Sequence, residues 1–150
     1  MSELSDLYQD VILDHSRSPH NFRVLGNADR QAEGFNPLCG DQVTLYLKLD
    51  HDRIQDISFQ GKGCAISKAA ASMMTDSVKD KSPAEVEAIF HTFHEMVTGS
   101  KNEPIDPDRL GKLAVFSGVC EFPARIKCAV LPWHTLKSAL EGKNGQVSTE

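Results

Sequence analysis

An α+β fold, with a small antiparallel sheet of about three strands packed against several helices, is predicted by three features of the 150-residue chain. Apolar residues recur with helical spacing near the N-terminus and again after residue 64. Between these segments, two stretches alternate apolar and polar residues with the period of two that marks half-buried strands. Clusters of Pro, Gly and Asn punctuate the boundaries. One domain over residues 1–141 followed by a flexible tail at 142–150 fits the length, since 40% hydrophobic residues suffice to close a single core.

The elements follow in order. Leu4, Leu7, Tyr8, Val11 and Ile12 fall at i, i+3, i+4, i+7 and i+8 and predict an amphipathic helix with Tyr8 on its packing face. "DHSRSPHNFRVLG" (14–26) reads as an irregular loop, in which His15, His20 and Asn21 either hold the loop by local hydrogen bonds or meet a partner. A strand near 29–36 precedes a second, where Val43, Leu45, Leu47 and Leu49 alternate with Thr44, Tyr46 and Lys48. "DHDR" (50–53) turns the chain into a third strand carrying Ile57 and Phe59.

After "GKG" (61–63) the pattern becomes helical, with Ile66, Ala69, Ala70, Met73 and Met74 on a core-facing side, and the switch falls at Cys64. In "SPAE" (82–85), Ser82 is an N-cap, Pro83 takes the first helical position and Glu85 completes a capping box. That helix runs to about Thr98 and is closed by Gly99. His91 and His94 lie on its solvated side, without the two-histidine spacing of HExxH. Asp106 and Pro107 start a further helix whose Leu110, Leu113 and Ala114 run on to Gly118. Pro123 opens a last helix, which Pro132 must kink or interrupt because it lacks a backbone N–H. "GKNGQVSTE" (142–150) has little to bury.

Sixteen basic against 21 acidic residues give a net charge of −5, which offers no electrostatic footprint for nucleic acid or an anionic membrane. No apolar run approaches the roughly 18 residues of a membrane span, and "MSELSDLYQD" lacks the regions of a signal peptide. A cytoplasmic protein with protein or small-molecule partners is expected. In a reducing compartment, four cysteines suit metal ligation or sulfur chemistry better than a disulfide framework.

Three of those cysteines sit where chemistry is accessible. Cys39 lies in the turn "NPLCGD" (36–41), Cys64 at a strand-to-helix junction and Cys128 in the first turns of the last helix. A helix N-terminus favours the thiolate, which is the form that binds metal or attacks sulfur. Cys39 and Asp41 flank Gly40, and in an extended segment residues i and i+2 point the same way. Three thiolates and one carboxylate form a tetrahedral set suited to zinc, while the harder carboxylate breaks the all-sulfur shell of a closed structural site and suggests a site built to exchange. Separations of 25 and 64 residues match no compact zinc motif, so the cysteines also read as small buried hydrophobes.

"LYQDVILDHSRSPHNF" (7–22), "NPLCGD" (36–41), "GKGCAISKAAASMM" (61–74) and "FPARIKC" (122–128) together resemble the U-type iron–sulfur cluster assembly proteins, in the family's order and from about residue 4 to 140. Within that IscU/NifU N-terminal-like family the chain is similar to the SUF-system branch. The stretch between Cys64 and Cys128 is longer than in the ISC branch, Lys127 stands where that branch has a histidine ligand, and "FSGVCEFPARIKC" replaces its proline-rich chaperone-docking segment.

The resemblance implies that Cys39, Asp41, Cys64 and Cys128 bind Zn2+, and that Cys39 accepts persulfide sulfur from a cysteine desulfurase of the SufS-like kind, for onward use by downstream iron–sulfur assembly components. The alternative it implies is a scaffold that builds a transient Fe–S cluster on Cys39, Cys64 and Cys128. Arg125, three residues before Cys128, would support thiolate or persulfide charge, or else form an ordinary surface ion pair. Cys120 holds no ligand position in the family pattern. A zinc hydrolase or deaminase is disfavoured, because the H-x-E and P-C-x-x-C signature is missing.

Overall fold

The alternation at residues 43–49 forms the middle of the sheet. The computed structural model describes residues 3–37, 40–98, 110–121, 123–142 and 146–148. Strands β1 (Arg30–Asn36), β2 (Asp41–Asp50) and β3 (Arg53–Lys62) make an antiparallel meander. Val43, Leu45 and Leu47 are buried, whereas Thr44, Tyr46 and Lys48 are only half-buried, so one face meets the helices. His51 and Asp52 link β2 to β3 with φ of 49° and 63°, the two positive values of a type I′ hairpin. A fourth strand, β4 (Gln146–Ser148), runs parallel to β1, giving the order β3-β2-β1-β4. It falls in the stretch whose composition suggested a tail with little to bury.

Four α-helices and one 3-10 helix surround the sheet among the described residues: α1 (Glu3–Arg17), α2 (Ala65–Val78), α3 (Pro83–Thr98), the 3-10 helix Gly111–Glu121 and α4 (Pro123–Leu140). α1 continues through Asp14–Arg17, where the sequence suggests loop. It stops at Ser18, because the residue before a proline disfavours helical backbone. At the start of α3, Ser82 and Glu85 exchange backbone-to-side-chain bonds of 3.3 Å in each direction, the expected capping box.

The helix expected through Leu110 and Leu113 is wound more tightly than an α-helix. Leu110, Leu113, Phe116 and Val119 recur every third residue and all four are buried, matching the three residues per turn of a 3-10 helix. Its expected start at Asp106 and Pro107, like the Gly99 cap, lies outside the described residues. α4 is continuous through Pro132 rather than interrupted by it.

α4 packs on β1 and β2, and α2 packs against β3 and α4. A Cβ on Gly34 would collide with Thr135 Oγ1, so the bare backbone of β1 sets how close α4 can lie. Phe93, Phe116 and Trp133 form an aromatic cluster with ring centroids 5.4 and 5.8 Å from that of Phe93. Full burial of such side chains stabilises the fold by about 1.5–3 kcal/mol each. Met73 and Met74 are core residues, as their helical spacing suggests.

The loop after α1 is tied to α2. His15 Nδ1 hydrogen-bonds Ser72 Oγ at 2.7 Å, the His20 N–H donates to the same oxygen at 2.8 Å, and Asn21 Nδ2 donates to Thr75 Oγ1 at 2.9 Å. These bonds fix the segment through α2, more than 50 residues on in sequence, and not through its own neighbours. The segment also covers part of the exposed edge of β3, with Phe59 N–H donating to the Asn21 carbonyl and Arg23 N–H to the Phe59 carbonyl.

Candidate metal centre

Asp41, Cys64 and Cys128 are far apart in sequence, and three elements bring them to one point. Asp41 opens β2, Cys64 caps α2 and Cys128 lies in the second turn of α4. One carboxylate oxygen and the two sulfurs all lie within 4.8 Å of one another. Asp41 and Cys128 are 1% and 0% exposed while Cys64 is half-buried, so the cluster is reached from the Cys64 side.

Local backbone chemistry fixes each side chain. Cys64 has the extended backbone of an N-cap, and its sulfur accepts the Ser67 N–H at 3.5 Å, as a cap oxygen would. Its own N–H donates to Asp41 Oδ1 at 2.8 Å. Gly63, at φ +149°, permits this approach, since a Cβ there would collide with Asp41 Oδ1. Cys64 Sγ lies 4.0 Å from Asp41 Oδ2, and Cys128 Sγ 3.7 Å from the Ala124 carbonyl one turn earlier.

Asn36 is the member that the sequence reading took only for a turn former. It is fully buried, and its Nδ2 donates to Asp41 Oδ2 at 3.1 Å and to Cys128 Sγ at 3.4 Å. Reversing the amide would aim Oδ1 at a carboxylate and a sulfur, which repel it, so the donor side must face the cluster. Oδ1 has no hydrogen-bond partner among the described residues. The available signal was register: Asn36 and Asp41 are Cα partners closing the β1–β2 hairpin.

The Cys64 thiol is pulled down from 9.0 to about 6. A hydrogen bond from Cys128 does most of this, opposed by burial, and the Ser67 N–H at the start of α2 adds to it, while the nearby Asp41 carboxylate pushes the other way. A thiolate is therefore ready at neutral pH beside a second thiol.

Cys39 lies outside the described residues, as does the side chain of Cys120. Its neighbour Gly40 has φ +69°, a left-handed turn conformation, so the extended-segment argument for Cys39 and Asp41 facing one point does not hold at this position. Arg125 is exposed in the first turn of α4, one turn before Cys128. His91 pairs with Glu95 at 2.6 Å on the solvated side of α3 and is not part of the Asp41, Cys64 and Cys128 group.

The donor set fits a thiophilic divalent ion. Two sulfurs and a carboxylate oxygen this close suit one ion with bonds of about 2.0–2.3 Å, and three donors leave a tetrahedral ion one ligand short. Burial of a carboxylate beside a thiolate is costly without a cation to offset their charge.

Residues 7–129 match the model of the NifU-like N-terminal domain. An iron–sulfur cluster assembly scaffold protein IscU of Streptococcus pyogenes is 44% identical over 141 residues, covering 94% of this chain and 87% of its own. The zinc-dependent sulfurtransferase SufU of Bacillus subtilis is 40% identical over 144 residues, covering 96% of both chains. The crystal structure of a candidate SUF-system assembly scaffold from Fervidobacterium islandicum superposes with a TM-score of 0.80 at 36% identity, over 93% of this chain and 96% of that one. With its α+β fold and its sulfur- and carboxylate-bearing cluster, the chain belongs to the NifU-like N-terminal domain family of iron–sulfur cluster assembly proteins.

Proposed function

We propose that this protein is a zinc-dependent sulfur acceptor, taking persulfide sulfur from a cysteine desulfurase and passing it to later components of iron–sulfur cluster assembly in the cytoplasm. The observation that carries the reading is the convergence of Asp41, Cys64 and Cys128. A carboxylate among the donors favours an ion whose remaining ligand can leave. The B. subtilis relative, named a zinc-dependent sulfurtransferase, supports the same assignment.

Cys39 is the proposed fourth ligand and acceptor. Chain connectivity keeps its Cα within about 7.6 Å of that of Asp41, two residues on. Bound zinc would keep the thiols deprotonated near neutral pH without oxidising them. The Cys39 thiolate attacks the outer sulfur of the partner's cysteine persulfide. One S–S bond forms on Cys39 as the S–S bond to the partner breaks, and the partner's cysteine leaves as a thiolate, so the exchange is redox-neutral. Arg125, one turn before Cys128, would support the thiolate or persulfide charge.

Incubating the zinc-loaded protein with a cysteine desulfurase and cysteine, then mapping peptides by mass spectrometry, tests this assignment. The Cys39 peptide is expected to gain one sulfur atom; sulfur appearing only on other cysteines, or nowhere, would refute it. The name of the S. pyogenes relative supports a second reading, a scaffold for a transient cluster on Cys39, Cys64 and Cys128. That reading predicts an iron- and sulfide-dependent chromophore after anaerobic reconstitution, lost on substitution of any of the three.

A further inference from the structure

We infer that Asn36 is a positioning residue for the metal centre, whose amide N–H groups hold the Asp41 carboxylate and the Cys128 sulfur in place from outside the ligand set. The inference rests on the metal reading above but concerns a residue outside the proposed ligands.

Asp41 and Cys128 come from β2 and α4, and Cys64, itself a proposed ligand, also contacts both. Asn36 reaches both from one nitrogen, at 3.1 and 3.4 Å. Its position is not adjustable. It ends β1 directly opposite Asp41 and is wholly buried, so its amide cannot swing out to solvent. The Cys64 N–H holds Asp41 Oδ1 and Asn36 holds Oδ2, which leaves the carboxylate without rotational freedom.

Once a cation is bound, both groups that Asn36 touches carry negative charge. An N–H to each reduces their mutual repulsion and draws electron density from the sulfur. An aspartate of the same shape would do the reverse, placing a third carboxylate oxygen against two anions. A serine keeps a single hydroxyl donor on a shorter arm.

Zinc affinity of the full chain, measured by competition with a chromophoric chelator, tests this directly. Asn36→Ala is expected to weaken zinc binding by about 10–100-fold, Asn36→Asp by at least as much, and Asn36→Ser by less than Asn36→Ala. Melting temperatures of the chelated proteins separate this from a loss of fold. In the cobalt(II)-substituted protein, loss of the N–H···S bond should move the sulfur-to-metal charge-transfer band to longer wavelength, a change that a merely structural role would not produce. Wild-type affinity together with an unshifted band in a folded Asn36→Ala protein overturns the inference. A wild-type protein that binds zinc no better than a Cys64→Ser, Cys128→Ser variant would instead overturn the metal reading itself.

Discussion

Cys64 joins the chemistry of the site to the stability of the fold. Its thiolate is favoured by the Cys128 hydrogen bond and by the amides at the start of α2. In the chelated protein, alkylation of Cys64 by iodoacetamide, followed by peptide mapping, should therefore titrate near pH 6, whereas a midpoint above 8 would contradict the arrangement. The sign for stability follows from the same shift. The folded-state pKa lies below the ordinary 9.0, so the stabilisation is complete above about pH 9 and is lost as pH falls toward 6. Chelated wild type should gain stability over Cys64→Ser across that window. Cys64 and Cys128 stand out in the sequence because each sits at or near a helix start and in a stretch that resembles the family, and the structure brings both to Asp41. Asn36 does not, because an asparagine before a proline reads first as a turn, and its value lies in a cross-strand register that becomes visible only once the hairpin is closed.

Among the elements, the 3-10 helix shows how a period can be misread. Leu110, Leu113 and Ala114 fit an α-helical start, but continuing the count by threes reaches Phe116 and Val119, and these are the buried positions. Phe116→Ala should cost about 3–5 kcal/mol in chemical denaturation, while Lys112→Ala on the exposed side should stay within about 0.5 kcal/mol. Equal effects would mean that the three-residue stripe does not face the core. The strands and the capping box at Ser82 were readable from local pattern, since alternation and cap chemistry need only neighbours. β4 was not, because a three-residue strand draws its support from β1, more than 100 residues earlier in the chain.

At the scale of the whole molecule, the fold gathers one end of a hairpin, the start of one helix and the second turn of another around a buried carboxylate. Each donor is anchored by backbone: Asp41 by the Cys64 N–H, Cys64 by the turn it caps, and Cys128 by α4, which Gly34 allows to sit close to β1. Three donors are thus held in place by backbone. Under the proposed reading Cys39, two residues before Asp41, supplies the fourth ligand and accepts the sulfur. The most direct test of that reading is cysteine desulfurase turnover with the zinc-loaded protein, the chelated protein and the zinc-loaded Cys39→Ala variant, each after metal analysis. Stimulation by the zinc-loaded wild type alone is the predicted result; equal stimulation by the chelated protein or by Cys39→Ala would contradict it.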